Sequence, residues 1–203
     1  MDHKLASNEY PIHDLLKKRW SPRAFENQFI QPDVIRSLFE AARWSPSASN
    51  IQPWYFILGL KGDETYQLIA ETLVEFNLLW ATRAPLLFLS VYKETNDAGI
   101  PNTSALYDLG QSVAHLTFQA TEAGLYVHQM AGFDPEKAAR IFEIPEGYKA
   151  ATVVAVGQIG NHHDLHPNLI PGEISPRIRR KVSETVYSGK FGQSSKIFEK
   201  STL

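Results

Sequence analysis

The 203-residue chain contains no cysteine. Disulfides, thiolate metal sites, iron–sulfur clusters and cysteine nucleophiles are therefore excluded, and any redox chemistry must come from a bound cofactor. No apolar run approaches the ~20 residues that a membrane span needs. Met1-Asp2-His3-Lys4-Leu5 has no apolar h-region, so a cytoplasmic protein without a membrane partner is expected. A Gly-x-Gly-x-x-Gly after the first strand candidate is also missing, which leaves a doubly wound dinucleotide-binding fold unsupported. Neither sign of charge dominates, with 20 Lys and Arg against 22 Asp and Glu.

What remains is an ordinary globular composition, 43% hydrophobic and 21% charged. The length suits one domain over 11–187, with a loose N-terminal arm at 1–10 and a polar C-terminal tail at 188–203. The charges are unevenly spread. Lys17, Lys18, Arg19 and Arg23 form one basic cluster, and Arg177, Arg179, Arg180 and Lys181 form another. Setting those eight aside leaves 12 basic residues against 22 acidic ones. Such a balance argues against a nucleic-acid partner, which needs a broad positive surface, and suits a ligand with one localised phosphate. Two solvated faces are the plain alternative.

The chain changes character around Arg43-Trp44-Ser45-Pro46-Ser47-Ala48-Ser49-Asn50-Ile51-Gln52-Pro53-Trp54. Pro32 and Asp33 open an amphipathic helix, with Val34, Ile35, Leu38, Phe39 and Ala42 on one face, and Pro46 stops it near Arg43 or Trp44. A turn rich in short hydroxyl and amide side chains follows, able to grip a polar planar ligand or to serve as a simple connection. Further strands are expected at 54–60, 86–92, 125–130 and 151–157. Between the first two, Tyr66, Ile69, Leu73, Phe76 and Trp80 recur at helical spacing and predict one amphipathic helix. A long helix from Thr103 or Ser104 to about Ala123 carries more apolar surface than one sheet face requires, which fits a dimer core or a central helix of a monomer. Asp134-Pro135-Glu136 starts another helix. His162-His163-Asp164-Leu165-His166 has no second ligand group at matching spacing and reads as a loop, so no metal is expected. His128, alone in a strand, reads as structural.

Four of these stretches resemble motifs of the FMN-dependent nitroreductase family, in the family's order from about residue 12 to about residue 187. They are Arg19-Trp20-Ser21-Pro22-Arg23-Ala24-Phe25, the Ser-Pro-Ser-x-x-Asn-x-Gln-Pro-Trp pattern of 45–54, Ala131-Gly132-Phe133-Asp134, and Arg179-Arg180 with Ser183-Glu184. The resemblance implies an α+β sandwich, a central mainly antiparallel sheet flanked by helices, in an intertwined homodimer with FMN at each subunit interface. It implies Arg19, Trp20, Ser21, Arg23, Arg179 and Arg180 around the phosphate and ribityl groups. Asn77 would meet the flavin edge, although alone it reads as a surface residue. The backbone at Ala131 and Gly132 would face the reactive nitrogen, and Pro46, Ser47, Ala48 and Asn50 would reach the flavin of the other subunit. NAD(P)H and an electron-poor aromatic or quinone are the implied partners, with no side chain as catalytic acid or base. An FMN enzyme that oxidises or fragments a metabolite without NAD(P)H, and a non-catalytic flavin binder, are the alternatives. Two departures stand out: Trp80 sits where some relatives have lysine, and Gln129 and Ala131 where better-known relatives have proline and glutamate.

Overall fold

Four apolar runs form the strands β1 (Trp54–Leu60), β2 (Leu86–Lys93), β3 (Tyr126–Met130) and β4 (Tyr148–Gly157) in the computed structural model, which describes residues 4–198. They make one sheet in the order β1-β2-β4-β3, and every neighbouring pair is antiparallel. β1 and β3 are thus its two edges. Of the expected strands, β4 begins earlier, at Tyr148, because Tyr148 to Ala150 continue the ladder against Val91 to Lys93 past a bulge at Ser90.

Buried strands present alternate residues to opposite layers. In β2, Leu86 and Phe88 pack with Leu38 of α2 (Pro32–Arg43) and with Leu109, Val113 and Leu116 of α5 (Ala105–Glu122). Leu87, Leu89 and Val91 pack on the other side with Tyr66 and Ile69 of α3 (Glu64–Glu71), Trp80 of α4 (Glu75–Ala81) and Ala138 of α6 (Pro135–Ile141). The fold is the expected α+β sandwich. No helix of the described residues is long and apolar enough to cross a membrane.

The single helix expected through Tyr66 and Trp80 is two helices. Thr72 turns its hydroxyl back onto the Ile69 carbonyl, and its own carbonyl accepts the Asp134 N–H at 2.7 Å. Val74 N–H then donates to the Gly132 carbonyl at 3.2 Å. The chain between α3 and α4 is therefore stitched to the segment after β3, and side-chain periodicity could not register a break made by backbone pairing with a distant segment.

The arm expected to be loose is anchored from Lys4. Ala6 N–H donates to the Lys17 carbonyl at 3.0 Å, at the end of α1 (Asp14–Lys18), and Glu9 accepts the Val182 N–H at 2.9 Å. A short helix α7 (Ile170–Ile174) precedes the second basic cluster. In the tail, Tyr187 bridges Ser194 and the rings of Tyr10 and Phe198 meet at 5.7 Å, while 199–203 lie outside the described residues.

Candidate functional site

The segment 19–23 begins where α1 ends, and three groups hold it from behind. The buried Glu173 carboxylate of α7 accepts the Arg23 N–H at 3.0 and 3.1 Å and the Ala24 N–H at 3.0 Å. Trp20 is buried edge-on to Tyr126 at 6.3 Å. The His128 ring meets the Pro22 carbonyl through Nδ1 at 2.8 Å. A carbonyl oxygen only accepts, so Nδ1 carries the proton. Burial pushes this imidazole down to about 4, with the neighbouring Arg23 acting in the same direction, so it stays neutral near pH 7.

That anchoring brings the two basic clusters together. Arg19, Trp20 and Ser21 line a cavity of about 230 Å³ with Arg177, Arg179 and Lys4, floored by Gly172, Ser175 and Pro176. Burial lowers the pKa of Arg19, and the adjacent Arg179 lowers it further; burial followed by Arg19 and Arg179 does the same to Arg177. Among the described residues none of the four cations is paired with a carboxylate within 4.0 Å. Like charges crowded into a partly desolvated cavity repel one another, and a bound dianion would reverse the sign of that interaction. Forked guanidinium groups and a hydroxyl are the donor set that phosphate takes.

Arg180 does not join this cavity. It lines an adjoining groove against the arm, with Glu9, Tyr10 and Lys181, that shares Arg177 and Arg179 with the cavity. Arg23 does not line the cavity either, although its backbone is part of the segment and its guanidinium stays beside the cavity at Gly172. Its guanidinium lies 5.9 Å from the centre of the Phe76 ring of α4, and its Nη1 would be 3.5 Å from a Cβ on Gly172. Its Nε is buried without a hydrogen-bond partner among the described residues.

One residue along α4 from Phe76, Asn77 donates through Nδ2 to the Gly132 carbonyl at 2.9 Å. A side chain at Gly132 would not fit, since a Cβ there would lie 2.5 Å from that Nδ2. The break between α3 and α4 makes this approach possible, as Val74 N–H shares the same carbonyl. Asn77 keeps its oxygen free of hydrogen bonds within the described chain, Ala131 next to Gly132 is exposed, and a flat polar ligand could lie against both.

The Ser-rich turn precedes β1 at the opposite edge of the sheet from Gly132, which follows β3. Three strand spacings of about 4.8 Å separate those edges. Pro46, Ser47, Ala48 and Asn50 are thus not brought to Asn77 and Gly132 within the chain. The turn is shaped by strain and held by α5. Ser49, Asn50 and Gln52 have φ of 50°, 56° and 52°, values that side chains other than glycine rarely adopt. Ala48 N–H donates to the buried Asp108 at 3.1 Å, Gln52 N–H donates to Ser47 Oγ at 3.0 Å, and Ser112 Oγ donates to the Ala42 carbonyl at 3.0 Å.

Trp80 is fully buried between Phe25 and His128. Asp164 of the His-rich loop faces Arg83 at 3.6 Å, and among the described residues no three His, Asp or Glu side chains gather as metal ligands do. Sequence reasoning missed Lys4, Glu173 and Asp108, and left Arg177 in its cluster without a role. Only Arg177 had a local signal, its place two residues before Arg179; the other three act through contacts more than 50 residues away.

The model of the nitroreductase family matches residues 16–77. An uncharacterized 15.4 kDa protein of Mycolicibacterium smegmatis is 32% identical over 145 residues, which are 68% of this chain and 97% of that protein. Among solved structures, an oxidoreductase containing FMN is 30% identical, with 96% of this chain and 98% of that one covered and a TM-score of 0.89. An FMN and NADPH-dependent nitroreductase from Sphigopyxis sp. shares the fold at 14% identity, 87% and 98% coverage and a TM-score of 0.69.

Proposed function

The chain belongs to the nitroreductase family, and on that premise we propose that it is a cytoplasmic FMN-dependent oxidoreductase acting as a homodimer. FMN, when bound, supplies the chemistry, accepting a hydride from NAD(P)H and passing reducing equivalents to an electron-poor acceptor such as a nitroaromatic or a quinone. The observation that carries the reading is the meeting of Arg19 and Ser21 with Arg177 and Arg179 in one cavity. Those residues hold the phosphate. Arg23 serves the ring edge beside Asn77, because its guanidinium turns toward Phe76 and leaves a buried N–H to be satisfied. A positive charge there takes the place that Trp80, enclosed in the core, does not fill. Gly132 lets the ring approach the backbone, since no Cβ intervenes.

Pro46, Ser47, Ala48 and Asn50 contact the flavin held mainly by the other subunit. Their position at the far sheet edge supports this division, and so does the exposed face of α5. Leu106 and Tyr107 are 57% and 72% exposed, and Gly110, one turn on, has open space where a Cβ would be. Glycine costs ~1 kcal/mol in a helix interior, a penalty that close approach of a second helix would offset. No side chain is assigned as acid or base; burial makes His128 a weak base, and its Nδ1–H is committed to the Pro22 carbonyl. The protein's part is to bind, orient and keep the ring dry.

Rapid mixing of the FMN-loaded protein with NADPH and with NADH tests the reaction. Loss of flavin absorbance with at least one nucleotide, and its return on adding a quinone or nitroaromatic, is expected. A protein that holds FMN but is bleached by neither nucleotide would refute this reaction and leave an enzyme that oxidises a metabolite directly or a non-catalytic flavin binder.

A further inference from the structure

The N-terminal arm sends one charged side chain into the cationic cavity. Lys4 is only 5% exposed, and lysine is rarely so buried without a carboxylate bound to it. Its Nζ donates to the carbonyls of Ser175 at 2.6 Å and Gly172 at 3.1 Å and lies 4.7 Å from the centre of the Trp20 ring. An ammonium has three protons. Two are used by those carbonyls, and the third is left where Lys4 lines the cavity beside Arg19, Ser21 and Arg177.

Tethering the arm does not require this charge. Arg177 already fastens it, donating from Nη1 to the Lys4 carbonyl at 3.2 Å and to the Lys17 carbonyl at 2.9 Å. A neutral amide would satisfy the two carbonyls without the desolvation that a buried cation suffers. Among the described residues the carboxylate that attracts Lys4 is Glu173, and it is occupied by the backbone N–H groups of Arg23 and Ala24. Placing a cation here makes sense for a ligand that brings the missing negative charge. Resting on the reading of this cavity as the phosphate site, we propose that Lys4 binds the phosphate of FMN directly, so that the N-terminal arm, outside the family's motifs, is part of the cofactor site.

FMN and riboflavin differ only by the phosphate, which makes the pair a selective probe. Lys4→Gln keeps a donor for the carbonyls and removes the charge. In the full-length protein freed of flavin, this change should weaken FMN about tenfold, the scale of one charge-assisted hydrogen bond, and leave riboflavin affinity as it was. Lys4→Arg should preserve the preference for FMN. Unchanged FMN affinity in Lys4→Gln, or equal weakening of both ligands, would overturn the assignment and make Lys4 a tether only. Acetylation of wild-type lysines, read by mass spectrometry, gives a test without substitution: saturating FMN should protect Lys4 more than saturating riboflavin does, and equal labelling counts against the proposal. If the wild-type chain binds neither flavin, the cavity itself has been misassigned, a failure distinct from that of Lys4.

Discussion

Substituting Gly132 by alanine probes the contact that places Asn77. The new β-carbon would lie 2.5 Å from Asn77 Nδ2 and 3.1 Å from Val74 Cγ2, inside the ~3.5–4.0 Å at which unbonded atoms pack best. The amide is the movable partner and would swing out, giving up its 2.9 Å bond to the Gly132 carbonyl. A typical intramolecular hydrogen bond contributes about 0.5–1.5 kcal/mol, and overpacking adds roughly 1–3 kcal/mol where the neighbour cannot yield. Val74 yields poorly, because its N–H is bonded to the same carbonyl. A loss of about 2 kcal/mol is expected for Gly132→Ala. In an Asn77→Ala background the closest contact is gone, and the same substitution should cost about 1 kcal/mol less. Urea unfolding of the four proteins, without flavin, measures the coupling. Equal costs in the two backgrounds would refute the geometry, and with it the role of Asn77 at the ring edge.

If the guanidinium serves the ring as proposed, Arg23→Ala should weaken FMN by about 1.5 to 3 kcal/mol and riboflavin by a similar amount; loss confined to FMN in flavin titrations would return Arg23 to the phosphate site. Asp108→Ala removes the acceptor that holds Ala48, so amide hydrogen exchange across 48–52 should accelerate and stability should fall by about 1 kcal/mol; exchange unchanged from wild type would show that the strained turn holds itself. His128 gives a pH signature. Between its ordinary 6.5 and about 4 the unfolded chain binds a proton that the folded chain does not, so its contribution makes stability fall as pH drops through that window, by up to about 3 kcal/mol in total. His128→Gln should flatten urea midpoints between pH 6.5 and 4, and an identical slope would place the titration elsewhere.

Local rules made the sheet legible. Continuous apolar runs became strands, of which β2 and the second half of β4 are buried on both faces, and Pro32, Asp134 and Pro135 marked helix starts that the chain uses. Asp134 caps its helix by accepting the Lys137 N–H at 2.8 Å. Periodicity failed at Thr72 to Val74, where backbone groups pair with Gly132 and Asp134 and side-chain spacing carries no trace of the break. The site divided in the same way. Arg19, Ser21 and Arg179 meet as their motifs imply, but the turn of the Arg23 side chain toward Phe76 and of Arg180 toward the arm depends on packing that a motif does not encode. Lys4 and Glu173 were invisible for a related reason. A buried ion looks like any other charged residue until the fold shows what encloses it.

Convergence of two distant basic clusters on one flavin phosphate is settled by colour and mass. The protein purified without added flavin should be yellow and release, on heating, one FMN per chain, and the emptied chain should take up FMN far more tightly than riboflavin. A colourless chain that stays colourless after incubation with FMN, or one that holds the two flavins equally well, contradicts that convergence.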